Sequence, residues 1–187
     1  MKPIPENHSL RKLFAAMTER IFIQKLNWPD LDVAAYLANL LTDFSDIERL
    51  YKIRNLQGGR LSDIPSMMQE ADLMLNAGSV EREREVHRHI GDFTLFMAGL
   101  FPEFLKRIKL ARLVHHPDFL IDYIKVGKHS YRNVSEFNYG EFREASPLFR
   151  KLADHFELCV LGLDYLRADL GRSAGPEYAG ARTILLN

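Results

Sequence analysis

Apolar residues recur along most of this chain at intervals of three and four, the repeat that places side chains on one face of a helix. The first run sets Leu10, Leu13, Phe14, Met17 and Ile21 behind Ser9, whose hydroxyl is a helix-capping type. Asn27-Trp28-Pro29-Asp30 interrupts it. Asp30 is set to cap a second helix with the stripe Ala34, Leu37, Leu41, Phe44, Ile47 and Tyr51, ended by Gly58-Gly59. A third, short helix is predicted over residues 64–76, with Ile64, Met68, Ala71 and Leu75 on one face and Gly78 as its stop.

The next segment is the most informative. Behind Ser79, the residues Val86, Ile90, Phe93, Met97, Leu100, Phe104 and Ile108 alternate spacings of three and four, a seam like that of a coiled coil. Between residues 93 and 101 the helix is apolar nearly all round, which marks a central element packed on several sides. Gly91 and Gly99 let neighbours approach closely, and Pro102 kinks or splits the helix. His116-Pro117-Asp118 opens a fifth helix. Ser146-Pro147 opens a last one, whose stripe Leu148, Leu152, Phe156, Cys159, Leu163, Leu166 and Leu170 ends at Gly171. The fold expected is all-α, a single-domain bundle of about six helices around a central apolar helix, over residues 1–170. A Gly- and Ala-rich tail follows over 171–187 and ends in apolar Ile184-Leu185-Leu186, either a clamp onto the body or a second subunit, or a frayed end.

Composition supports the helices and narrows the rest. Leucine occurs 27 times against 7 valines and 4 threonines, a bias toward residues that keep rotamer freedom in a helix. The 25 basic and 25 acidic residues cancel, which argues against bulk attraction to nucleic acid. One cysteine excludes an intramolecular disulfide and a Cys-rich zinc site, and suits a reducing compartment. The most apolar stretch is about half of the roughly 20 residues a membrane span needs, and the N-terminus has no secretory pattern. A soluble, cytoplasmic protein is expected.

Two stretches carry a resemblance. His89-Ile90-Gly91-Asp92 leads into an apolar helix with Gly99-Leu100-Phe101-Pro102-Glu103, and Tyr123-Ile124 is followed by Gly127 and Tyr131. This pattern, spread over roughly a quarter of the chain, resembles an uncharacterised family of bacterial all-helical proteins. The resemblance implies a bacterial source and a helical fold, and brings no activity with it.

Candidate chemistry is sparse. Glu85, His89 and Asp92 stand at spacings of four and three, on one face of the central helix beside its apolar seam. There an imidazole and carboxylates can hold a divalent metal or share a proton, with Asp43 and Asp46 on helix two and His155 on the last helix as helpers. The plainer reading takes Glu81, Glu83 and Glu85 as first-turn acids, Asp92 as the cap of a helix restarted after Gly91, and His89 as locally hydrogen-bonded. The Glu-x-x-His pair of di-iron bundles is absent, and so is Gly-x-Ser-x-Gly. Gly58-Gly59 lacks the Lys-Ser or Lys-Thr of a phosphate loop, and Cys159 lies on a core stripe where an inert buried thiol is expected. A local basic excess comprises Lys106, Arg107, Lys109, Arg112, Lys125, Lys128 and Arg132, which can meet an anionic partner or a complementary face of a second copy.

These observations lead to a helical module without chemistry of its own, binding a partner or an apolar small molecule and forming a homodimer, with no cofactor. The alternatives are a metal-dependent enzyme built on Glu85, His89 and Asp92, and a basic-patch binder of nucleic acid or another anion.

Overall fold

In a computed structural model of the chain, residues 5, 8–55, 57–61, 63–72, 78–103 and 119–172 are described, the stretch 119–122 by its backbone alone. The protein is a single-domain, all-α helical bundle. Among the described residues the helices are α1 (Ser9–Glu19), continued by a π-helical turn over Arg20–Lys25, α2 (Leu31–Phe44), α3 (Ile47–Leu50) and α4 (Ile64–Ala71). Then come α5 (Val80–Leu100), α6 (Phe119–Glu136), α7 (Ser146–Asp154) and α8 (Phe156–Arg172).

The central helix of the sequence pattern is α5, and every one of its residues from His89 to Leu100 is buried. It packs most extensively on α6, and also on α8 and α4, while α1 lies along α2. Direct contact between α2 and α5 is slight, and a cleft opens between them. Two glycines make α5 fit its neighbours. A Cβ at Gly91 would stand 2.5 Å from the Tyr131 ring of α6, and one at Gly99 would collide with Leu163 of α8. Packed interiors do not yield that much space, so these positions require hydrogen as their side chain.

Several boundaries differ from the sequence pattern, each for a local reason. The cap of α1 is His8, whose Nδ1 accepts from the Leu10 N–H at 3.2 Å, and Ser9 is the first helical residue. Asp30 and Ser79 cap α2 and α5 as expected. The α2 stripe stops at Phe44. Asp46 adopts an extended backbone, its carboxylate accepts from the Glu48 N–H at 2.9 Å, and the short α3 starts afresh with Ile47 63% exposed. Asp72 turns extended and ends α4 at Ala71 instead of 76. Phe101 closes α5, so Pro102 splits the helix, as a residue without an N–H and with a fixed ring does. The predicted last helix is two helices, broken at His155 without a Gly or Pro, and α8 runs through Gly171 to Arg172. Phe104, Ile108, the start at His116-Pro117-Asp118 and the tail lie outside the described residues.

Gly91→Ala is expected to destabilise the protein by about 1–3 kcal/mol, the usual cost of overpacking a filled core. Gly171→Ala, where an added Cβ meets nothing within 4 Å, is expected to shift stability by less than about 1 kcal/mol, and in the favourable direction. Urea denaturation of both variants measures the contrast.

Candidate functional site

Gly91 is followed by Asp92, and the socket that the glycine makes brings the Tyr131 ring over the helix to that carboxylate. The Tyr131 hydroxyl donates to Asp92 Oδ1 at 2.7 Å, and the Tyr36 hydroxyl of α2 donates to the same oxygen at 2.5 Å. One buried carboxylate thus ties α2, α5 and α6 together. Arg88, one turn earlier on α5, donates from Nε to the Tyr36 oxygen at 3.3 Å and stands 3.8 Å from Asp92 Oδ2. Its guanidinium lies over the Tyr36 and Phe149 rings, at 5.7 and 5.9 Å from their centroids.

Burial pushes the Asp92 carboxyl above the usual carboxylate range, against the pull of Arg88 and of the two tyrosine hydrogen bonds. Burial also lifts both tyrosines well above the ordinary phenol value, with Asp92 adding to the effect. The hydroxyls therefore stay protonated and act as donors.

Asp92 and Arg88 line a cavity of about 310 Å³ between α2 and α5. Tyr36, Asn39, Leu40 and Phe44 form its α2 wall, and Arg49 of α3 and Lys52 just after it also line the cavity. Asp43 also reaches the cavity, paired with Arg49. Three cations and two carboxylates face this space. The cleft is net positive.

The residues singled out in the sequence are dispersed around this centre. Glu85 is half exposed and pairs with Lys52 at 3.6 Å and Arg82 at 3.3 Å. His89 is fully buried, edge-on to Phe44 and beside Phe93, and neither ring nitrogen has a hydrogen-bond partner, contrary to the local bond expected for it. Burial, helped by Lys52, lowers its pKa to about 3, and the Leu50 backbone opposes this without reaching hydrogen-bonding geometry. Asp92 lies inside a continuous helix and caps nothing. Asp43 shares the cleft, Asp46 caps α3, and the His155 ring sits 4.8 Å from that of Trp28. Among the described residues, no group of three or more His, Cys, Asp or Glu side chains is placed to hold a metal ion.

Of the basic patch, Lys106, Arg107, Lys109 and Arg112 lie outside the described residues. Lys128 pairs with Glu157 at 2.8 Å and Arg132 with Asp154 at 2.5 Å, while Lys125 is exposed on α6. Two of the three described cations are thus answered by carboxylates of α7 and α8. Sequence reasoning missed Tyr36, Lys52, Arg88 and Tyr131. The i,i+4 spacing of Arg88 and Asp92 was a readable signal, and Lys52 left none.

No family model, curated protein or solved structure matches this chain. Among the described residues, no helix is long and apolar enough to cross a membrane.

Two outcomes follow for stability. Tyr131→Phe removes a hydrogen bond to a buried carboxylate and is expected to cost about 1.5–3 kcal/mol in urea denaturation. His87 and His89 are held at about 4 and about 3 by burial, against 6.5 in an unfolded chain. Below pH 6.5 the unfolded state therefore binds more protons, so their contribution is complete above that pH and declines on acidification toward the folded values. His89→Phe is expected to flatten the stability slope between pH 6.5 and about 5 by up to roughly 1.4 kcal/mol per pH unit. Denaturant midpoints across that range, wild type against variant, give the measurement.

Proposed function

We propose that this protein is a non-catalytic binding module that takes a small organic anion into the cleft between α2 and α5. The observation that carries this reading is the state of Arg88. The Tyr36 and Phe149 rings flank its guanidinium and the bond from Nε to Tyr36 orients it, while the side chain is 45% exposed and, among the described residues, no hydrogen bond engages its terminal nitrogens. A planar donor fixed in advance at the wall of a positive cavity loses little entropy on binding a carboxylate or phosphate. Leu40 and Phe44 offer apolar wall to the ligand's carbon body. The tyrosines are kept protonated, and burial pushes the Cys159 thiol up, so the polar groups present favour holding a ligand over attacking one. The same reading takes the protein as a cytoplasmic homodimer, supported by its single cysteine, which suits a reducing compartment, and by the prevalence of two-fold dimers among oligomers.

Titration calorimetry with small carboxylates tests it. Arg88→Gln is expected to weaken binding about 10- to 100-fold, the range for losing a charge-assisted hydrogen bond. Lys125→Gln, on exposed α6 surface away from the cleft, is expected to leave it unchanged. Equal affinity in wild type and Arg88→Gln would remove the cleft as the site.

A further inference from the structure

Asp92 uses only one of its two oxygens. Oδ1 accepts both tyrosine hydroxyls, whereas Oδ2 makes no hydrogen bond among the described residues and has Arg88 Nε at 3.8 Å, beyond hydrogen-bond reach. The Asp92 side chain keeps 9% of its surface exposed, and the residue lines the cavity. This acceptor stands beside Arg88, whose side chain is 45% exposed and whose Nε alone is hydrogen-bonded among the described residues. A ligand that fills both needs a hydrogen-bond donor next to its own anionic group.

We propose that the ligand of this cleft is a small 2-hydroxy carboxylate, its carboxylate held by Arg88 and its hydroxyl donating to Asp92 Oδ2. The assignment rests on the anion-binding reading of the cleft and narrows it. Adjacent carbons place the hydroxyl and the carboxylate side by side, as the neighbouring acceptor and donor require. A carboxylic acid without the hydroxyl would cover Oδ2 and leave it unpaired, and buried acceptors without partners select strongly against such analogues.

The charge of the cleft decides between hydroxyl and ammonium. Arg49, Lys52 and Arg88 line the space against Asp43 and Asp92. A 2-amino acid would bring a further positive charge into a lining that is already net positive. A hydroxyl repeats the donor type that Asp92 already accepts from Tyr36 and Tyr131. The cavity of about 310 Å³ is at the small end of the range for ligand sites and suits a short carbon chain along Leu40 and Phe44.

Calorimetry on the full chain with 2-hydroxy-4-methylpentanoate, 4-methylpentanoate and leucine compares three ligands on one carbon skeleton. The hydroxy acid is expected to bind at least tenfold tighter than either of the others. Asp92→Asn keeps an oxygen for the tyrosines and removes the carboxylate's charge, and is expected to reduce that preference at least threefold, with thermal melting reporting whether the variant folds. If it does not fold, the wild-type ranking decides alone. Equal binding of the hydroxy and plain acids, or tighter binding of leucine, would overturn the hydroxyl assignment and leave the anion reading standing. No binding by any of the three, together with no binding of other small carboxylates, would overturn both.

Discussion

A carboxylate taken out of water must be hydrogen-bonded or it destabilises the fold by several kcal/mol, and the centre of this protein is arranged around meeting that requirement for Asp92. Its two tyrosine donors come from different helices, so satisfying one side chain fixes the positions of three elements. Tyr131 reaches Asp92 because the preceding residue has no side chain, and the ring occupies the space a Cβ would need. Close packing of α5 on α6 and the polar bond at its centre are therefore one feature. Tyr36 holds α2 at the third corner, though α2 otherwise packs on α1. The cleft is the gap that remains between this point and Phe44 of α2, whose ring lies against His89 and Phe96 of α5.

The same arrangement explains which parts of the protein were legible in its residues. The α5 seam was readable because burial on several sides enforces a long apolar period, and Val86, Ile90, Phe93, Met97 and Leu100 are all buried. The caps Asp30 and Ser79 were readable because their bonds lie within the next turn. The break at His155 was not, since no Gly or Pro marks it. The Glu85, His89 and Asp92 grouping failed for a geometric reason. Angular position on a helix says nothing about depth, and the rise of 1.5 Å per residue separates Glu85 from Asp92 by about 10 Å along the axis. Over that length one face passes from solvent at Glu85, to a bed of aromatic rings at His89, to the tyrosine hydroxyls at Asp92.

The aromatic side chains do two jobs that composition alone does not separate. Phe14, Phe22, Phe96 and Phe156 are fully buried and fill the core. Tyr36 and Phe149 lie against each other edge to face, at 5.5 Å between centroids, and also flank Arg88. The second job bears on function. A guanidinium flanked by rings keeps its N–H bonds in its own plane, where those not used on Tyr36 can meet a ligand. Tyr36 contributes to both halves of the site, as a ring under Arg88 and as a hydroxyl on Asp92.

Placing a cation against a buried acid has a further consequence for the cleft. Arg88 attracts Asp92, yet at 3.8 Å and through Nε alone it does not form the two-point bond that would neutralise both groups. Arg88 Nε instead donates to the Tyr36 hydroxyl, which is itself a donor to Asp92. The pair is thus short of mutual satisfaction while Tyr36 engages Arg88 Nε, and both residues line the same cavity. Stability of the three-helix junction and an unfilled polar site follow from one set of contacts, so a substitution at Tyr36 or Asp92 touches both.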